Sequence, residues 1–391
     1  MSLMSEYINK KLTSAQLENE LTSLVRKYNR RVNRPLFIYA AAISKAIPDI
    51  VLSMDDYYTI SDHLRDVDSN KLDFYIETPG GSGEAAEEIV RFLRRKFETV
   101  NFVVSGEAKS AGTIMVLSGD DILMTESGSL GPIDAQVKIG RSTISAHDYE
   151  EWVRKKRNEA NNIGKLNPFD ATMVAQISPG ELKLVHHSLS MAKDLVVSWL
   201  PKYKFKNWDQ TATRKLPVTP EMKEQRAQEI AAELTNHSKW RSHGRSIKID
   251  DLQSIGLEIV RLDDDPDLSD IIYRIQVVIR FLFSDTDIYK MFVSEKAKIF
   301  KRAVRTQALI RKAVPQQVNS MEIGIKCEKC GKKHKLYAKF IPDPKIDEES
   351  KKKGLQPFPK DNKLICKCGF EHNLLGIRNE IEAKAGRKMI P

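Results

Sequence analysis

Leu72-Asp-Phe-Tyr-Ile-Glu-Thr-Pro-Gly-Gly-Ser-Gly83 and Val100-Asn-Phe-Val-Val-Ser-Gly-Glu-Ala-Lys-Ser-Ala-Gly-Thr113 share one plan. A short apolar run ends in a turn of small residues, and a helix-compatible segment follows. That order reads as strand, turn, helix, and its recurrence predicts βαβ units in a largely parallel sheet. Glycines at a strand-to-helix turn let backbone N–H groups point into open space, which suits an oxyanion or a phosphate. Consecutive parallel strands bring the Gly80-Gly81 turn and Ser110 to the same sheet edge, where ligands of open α/β sheets bind. Ser110 opens a helix of small residues, so the positive end of the helix dipole favours negative charge developing near its Oγ. Acyl transfer needs a nucleophile and N–H donors about 3 Å from the developing oxyanion. The Gly80-Gly81 loop and Ala111 are the candidate donors.

Outward from these turns, Leu36-Phe-Ile-Tyr-Ala and Ile122-Leu-Met complete the strand pattern, with helical segments expected near 56–66, 84–97 and 110–118. Beyond residue 145 the pattern turns helical, near 147–162, 180–200, 219–236 and 267–283. Residues 1–34 carry Leu12, Leu17, Leu21 and Leu24 at helical spacing and read as an N-terminal helical arm or oligomer contact. A chain of 391 residues exceeds a typical single core. The expected organisation is an arm over 1–34, a catalytic domain over 35–300, a linker over 301–319 and a basic zinc-ribbon-like domain over 320–391.

The Pro-Gly-Gly turn, the Ser-small-Gly helix start and Gly128-Ser-Leu-Gly-Pro-Ile-Asp-Ala-Gln resemble the Clp protease proteolytic subunit and signal peptide peptidase A. The chain is most similar to the serine dehydrogenase proteinases of the same superfamily, and Lys239-Trp-Arg-Ser-His-Gly-Arg and Asp250-Asp-Leu-Gln-Ser-Ile-Gly-Leu extend that similarity, giving a span of about 35–300. The resemblance implies an α/β fold of the crotonase/Clp-protease type, a ββα superhelix with helical additions; the small C-terminal zinc-binding domain is read instead from two cysteine pairs. It also implies serine-dependent hydrolysis of peptide or protein substrates and assembly into homo-oligomers. The sequence departs from the Clp pattern at the base: Asp134 stands where that family has its catalytic histidine, and Gly244 where it has its aspartate. A serine without a base is a poor nucleophile. His243, with Asp134 to orient it, is the first candidate base. Lys165 is the second, by analogy with the Ser-Lys dyad of signal peptide peptidase A, provided burial lowers its pKa. His186 and His187 fall in an amphipathic helix and read as structural.

Four cysteines form two close pairs, Cys327/Cys330 and Cys366/Cys368, each followed by glycine. Two such knuckles bring four thiolates to one tetrahedral Zn2+ with no open position, a structural site in a reducing compartment. The CxC spacing of the second pair leaves His334 or His372 as alternative ligands. From Lys296 onward the chain has 24 Lys+Arg and 10 Asp+Glu, a net of +14, which leaves −4 for the residues before it. Lys332, Lys333, Lys335 and Lys351 to Lys353 suit a nucleic-acid phosphate backbone or an acidic protein partner. No stretch approaches eighteen uninterrupted apolar residues, so the expectation is a cytoplasmic protein without a membrane span. Two other functions fit the residues. One is a catalytically silent oligomeric scaffold or adaptor whose zinc module captures a partner. The other is an acyl-CoA enzyme of crotonase type, for which the Lys109-Ser110 helix start has no evident use.

Overall fold

The computed structural model describes residues 2–133, 136–139, 142–211, 213–303, 319–385 and 387–390. The chain forms two compact units, divided after Val304. In the first, strands Leu36–Ala41, Lys71–Glu77, Thr99–Val104, Ile122–Met124 and Val260–Arg261 lie parallel and in this order. Leu36–Ala41 and Thr99–Val104 are buried almost throughout, the pattern expected where helices cover both faces of a parallel sheet. Alternation sorts their side chains. Phe37, Tyr39, Phe74, Ile76, Phe102 and Val104 face one core, while Leu36, Ile38, Tyr75 and Val103 face the other.

The expected helices appear as Met54–Leu64, Gly83–Lys96, Ala111–Val116, Ala146–Ile163, Pro179–Lys202, Pro220–Thr235 and Pro266–Asp285. Gly83–Lys96 shows why. Ser82 caps it by accepting from the Ala85 N–H at 3.1 Å, Glu84 sits in its first turn, and Arg94, Arg95 and Lys96 lie in its last. Both charge sets complement the helix dipole. Ala85, Ala86, Ile89, Val90 and Leu93 form its buried stripe.

Two features differ from the sequence reading. The N-terminal helices Leu3–Lys10 and Ser14–Val32 do not project as an arm. Leu17, Leu21, Leu24, Val25 and Tyr28 are buried with Ile271, Ile275 and Ile279 of Pro266–Asp285, so their apolar stripe is covered within the same unit. Strands Ile288–Val293 and Lys298–Arg302 form an antiparallel hairpin that joins the sheet at Leu36–Ala41. Most of the expected linker, residues 304–318, lies outside the described residues.

In the second unit, Ser320–Lys326 pairs antiparallel with Lys333–Lys339, and Lys363–Ile365 with Glu371–Asn373. Each hairpin loop carries one cysteine pair. Among the described residues no helix is long and apolar enough to cross a membrane.

Candidate active site

Parallel pairing of Lys71–Glu77 with Thr99–Val104 puts the ends of both strands at one edge. Beyond the strands the pairing continues: the Thr78 N–H donates to Glu107 O at 2.8 Å, and the Lys109 N–H to Thr78 O at 3.0 Å. The two turns are thereby zipped together, with almost no space between them. A Cβ on Gly80 would lie 2.7 Å from both Ser110 Cβ and Lys109 O. A Cβ on Gly81 would lie 2.4 Å from Leu52 O, because Leu52 is bonded on either side of that glycine, to Gly80 O and from Ser82 N–H. With φ of +93° and +151°, both positions also need glycine's conformational range.

Ser110 has φ +50° and ψ −117°, outside the favoured regions of an L-residue. Such strain costs on the order of 1–3 kcal/mol and persists only where the surroundings impose it, as at the sharp strand-to-helix turns that present nucleophilic serines. Its carbonyl accepts from the Ile114 N–H at 3.1 Å and so begins the helix, while the side chain makes no capping bond. The plain N-cap role therefore does not describe it. The Gly80 N–H is already donated to Thr78 Oγ1 at 3.2 Å. Among the described residues, the N–H groups of Gly81 and Ala111 have no acceptor. Ser110, Gly80, Gly81, Ala111 and His243 border one cavity of about 440 Å³, with Ile114, Ile133, Met191 and Leu195 forming its apolar wall.

His243 is thus the histidine that borders the same cavity as Ser110. Lys165 is not so placed: it is exposed between Ala146–Ile163 and Pro168–Val174 and does not border the cavity. The desolvation that a lysine base requires is missing there. Asp134 lies outside the described residues. His186 and His187 are exposed on Pro179–Lys202 and do not border the cavity.

Three polar residues that support the turns escaped the sequence reading. The Thr113 hydroxyl contacts Ala108 O at 2.8 Å and Gly131 O at 3.0 Å, and accepts from the Gly131 N–H at 3.0 Å. The Lys109 ammonium is buried among four oxygens. Glu77, fully buried at the end of its strand, has its pKa pushed up to about 7 by desolvation, against the pull of Arg280 at 2.7 Å and with a further push from Glu107.

In the second unit the four cysteine sulfurs lie within 4.8 Å of one another. Cys327 and Cys368 Sγ are 3.6 Å apart, as are Cys330 and Cys366 Sγ. A disulfide requires about 2.05 Å. Tetrahedral Zn–S bonds of about 2.3 Å imply S···S separations near 3.8 Å, so the set fits a four-thiolate zinc site. Neither His334 nor His372 is part of this four-sulfur cluster. Left-handed Gly331 (φ +72°) and Gly369 (φ +83°) close the knuckles, donating to Cys327 O and Cys366 O at 2.8 Å each.

Comparison with known proteins points the same way for the first unit. Residues 46–163 match the model of the ClpP-like SDH-type serine proteinases. That span holds Gly80, Gly81, Ser110 and Ala111 but stops before Lys165 and His243, and is shorter than the 35–300 expected. Two uncharacterized proteins of Methanocaldococcus jannaschii are 33% identical over 87 residues and 32% identical over 66. These matches cover 22% and 17% of this chain, and only 30% and 23% of the relatives' own lengths. Among solved structures, a mutant of the 1510-N membrane-bound stomatin-specific protease aligns with a TM-score of 0.31 and 13% identity, over 56% of this chain and 79% of that one. The segment that carries Ser110 and its glycine turn is thus similar to the ClpP-like SDH-type serine proteinases.

Proposed function

We propose that the chain is a serine peptidase with Ser110 as nucleophile, Gly81 and Ala111 N–H groups as oxyanion donors and His243 as general base. The observation that carries this reading is the strained Ser110 backbone at the mouth of a cavity that also holds two unused N–H donors and a histidine. His243 takes the Oγ proton as Oγ attacks the peptide carbonyl, and the carbonyl oxygen becomes an anion facing the two N–H groups. Collapse of this adduct breaks the C–N bond, and the leaving amine takes the proton from His243. Water, deprotonated by the same imidazole, then hydrolyses the acyl-enzyme. Gly80 serves this site sterically, by letting the two turns approach. Peptide or protein substrates and a homo-oligomeric assembly belong to the same proposal. Zn2+ is assigned to the cysteine cluster as a structural ion, its four protein ligands leaving no position for a substrate.

Labelling the full-length chain with a fluorophosphonate reporter tests this. Ser110 modification that is lost in Ser110→Ala and strongly slowed in His243→Ala supports the peptidase. Absence of labelling in folded wild type favours the silent scaffold.

A further inference from the structure

We propose that Lys109 is a positioning residue for the Ser110 site, clamping the segment that carries His243 against the serine turn. The inference rests on the reading of Ser110 and His243 as nucleophile and base. Lys109 immediately precedes Ser110, yet its side chain runs away from the cavity and is only 5% exposed. The stem passes directly over Gly131, where a Cβ would meet Lys109 Cδ at 2.8 Å. The ammonium then reaches Ser129 Oγ at 3.2 Å, Leu130 O at 3.1 Å, Arg245 O at 3.3 Å and Ser246 Oγ at 3.0 Å. Two of these oxygens belong to the strand Ser129–Leu130, which pairs with Glu107–Ala108, and two to the segment just after His243.

An ammonium has three protons, so four acceptors occupy it fully. Ser110 Oγ is not among its described partners, which separates this lysine from a general base. Burial pulls its pKa down, while Glu107 pulls it up. The 243–248 segment is also anchored by the antiparallel bridge of Leu130 with Ile247, bonded at 3.0 and 2.9 Å, and by Lys248, whose ammonium reaches Ser127 O at 2.9 Å and Gly128 O at 3.0 Å. Both grip the chain after His243. Lys109 holds this segment at Arg245 and Ser246, ahead of both, and it is covalently continuous with the nucleophile. Without its charge, two carbonyls and two hydroxyls lose a common donor, and the His243 segment is free to drift from Ser110. Displacements of about 1 Å in a catalytic group can cost about 100-fold in rate.

The test is fluorophosphonate inactivation of the full-length chain, resolved into the maximal rate of labelling and the half-saturating reagent concentration. Lys109→Met keeps the stem and removes the donor. Ser246→Ala removes one acceptor on the His243 side alone. The expected result is a maximal rate reduced about 10-fold or more in Lys109→Met and about 2- to 5-fold in Ser246→Ala, with half-saturation unchanged, because alignment and not reagent binding is lost. If Lys109→Met fails to fold, as judged by circular dichroism, Ser246→Ala decides. Wild-type rates in a folded variant, or a change confined to melting temperature, would overturn the proposal while leaving Ser110 as nucleophile. No Ser110 labelling in wild type would remove the underlying reading, and this inference with it.

Discussion

Gly80→Ala is the substitution for which the structure gives the sharpest expectation. The new methyl would stand 2.7 Å from Ser110 Cβ, 2.7 Å from Lys109 O and 3.2 Å from Ala111 N, with backbone on two of the three sides. Real contacts of this kind need about 3.5 Å, so the two turns must separate by close to an ångström. The left-handed φ of +93° adds about 1 kcal/mol for any residue with a Cβ, and overpacking a tight site adds about 1–3 kcal/mol. A total of about 2–4 kcal/mol corresponds to a fall in melting temperature of roughly 3–6 °C for a unit of this size. Thermal unfolding by circular dichroism measures the first effect, and fluorophosphonate labelling of the folded fraction measures the second. Labelling should fall about 100-fold, because the methyl displaces Ser110 from the Gly81 and Ala111 donors. Gly180→Ala, in the first turn of Pro179–Lys202 with only Ser178 Oγ nearby at 3.9 Å, is the matched control and should melt at or slightly above wild type. A Gly80→Ala protein that melts and labels like wild type would refute the packing argument.

The buried acid Glu77 makes a pH-dependent prediction. Its folded pKa of about 7 lies above the ordinary carboxylate value of 4.5, so the folded state binds more protons between those pH values and stability is lost as pH rises through that window. The loss is complete above pH 7 and on the order of 3 kcal/mol. Relative to wild type, Glu77→Gln should therefore gain stability between pH 5 and pH 8. A melting difference that does not change with pH would contradict this. Thr113→Val removes a hydroxyl that serves two carbonyls and one N–H, and should cost about 1–3 kcal/mol in denaturant titration. Metal analysis should find one zinc per chain. Stripping it, or Cys366→Ser, should raise amide exchange across 320–390 while leaving the strands of residues 36–124 protected. Unchanged exchange in the second unit would argue against a structural ion.

Much of this architecture was open to reading because its signals are local. Apolar runs such as Phe102-Val-Val, ending in Ser105-Gly106, marked the parallel strands, and the Pro-Gly-Gly turn and Ser110 marked helix starts. The cysteine knuckles were legible from spacing alone. What escaped depends on distant residues. The stripe on Ser14–Val32 states only that a partner exists, and its partner, Pro266–Asp285, lies about 250 residues on. Lysines near 109, 290 and 301 look like solvated surface in a sequence. Yet Lys290 is buried against Asp56 at 2.6 Å and Val51 O at 2.8 Å, in the loop that grips Gly81. The choice between His243 and Lys165 was equally long-range, since nothing near either residue states which one the fold returns to Ser110.

The central claim is tested most directly by mass-spectrometric mapping of fluorophosphonate adducts on full-length wild type, Ser110→Ala and His243→Ala, each checked for fold by circular dichroism. The account predicts a single adduct on Ser110, absent in the first variant and slowed about 1,000-fold or more in the second. Modification elsewhere with Ser110 untouched, or labelling of Ser110 that is indifferent to His243, would contradict it.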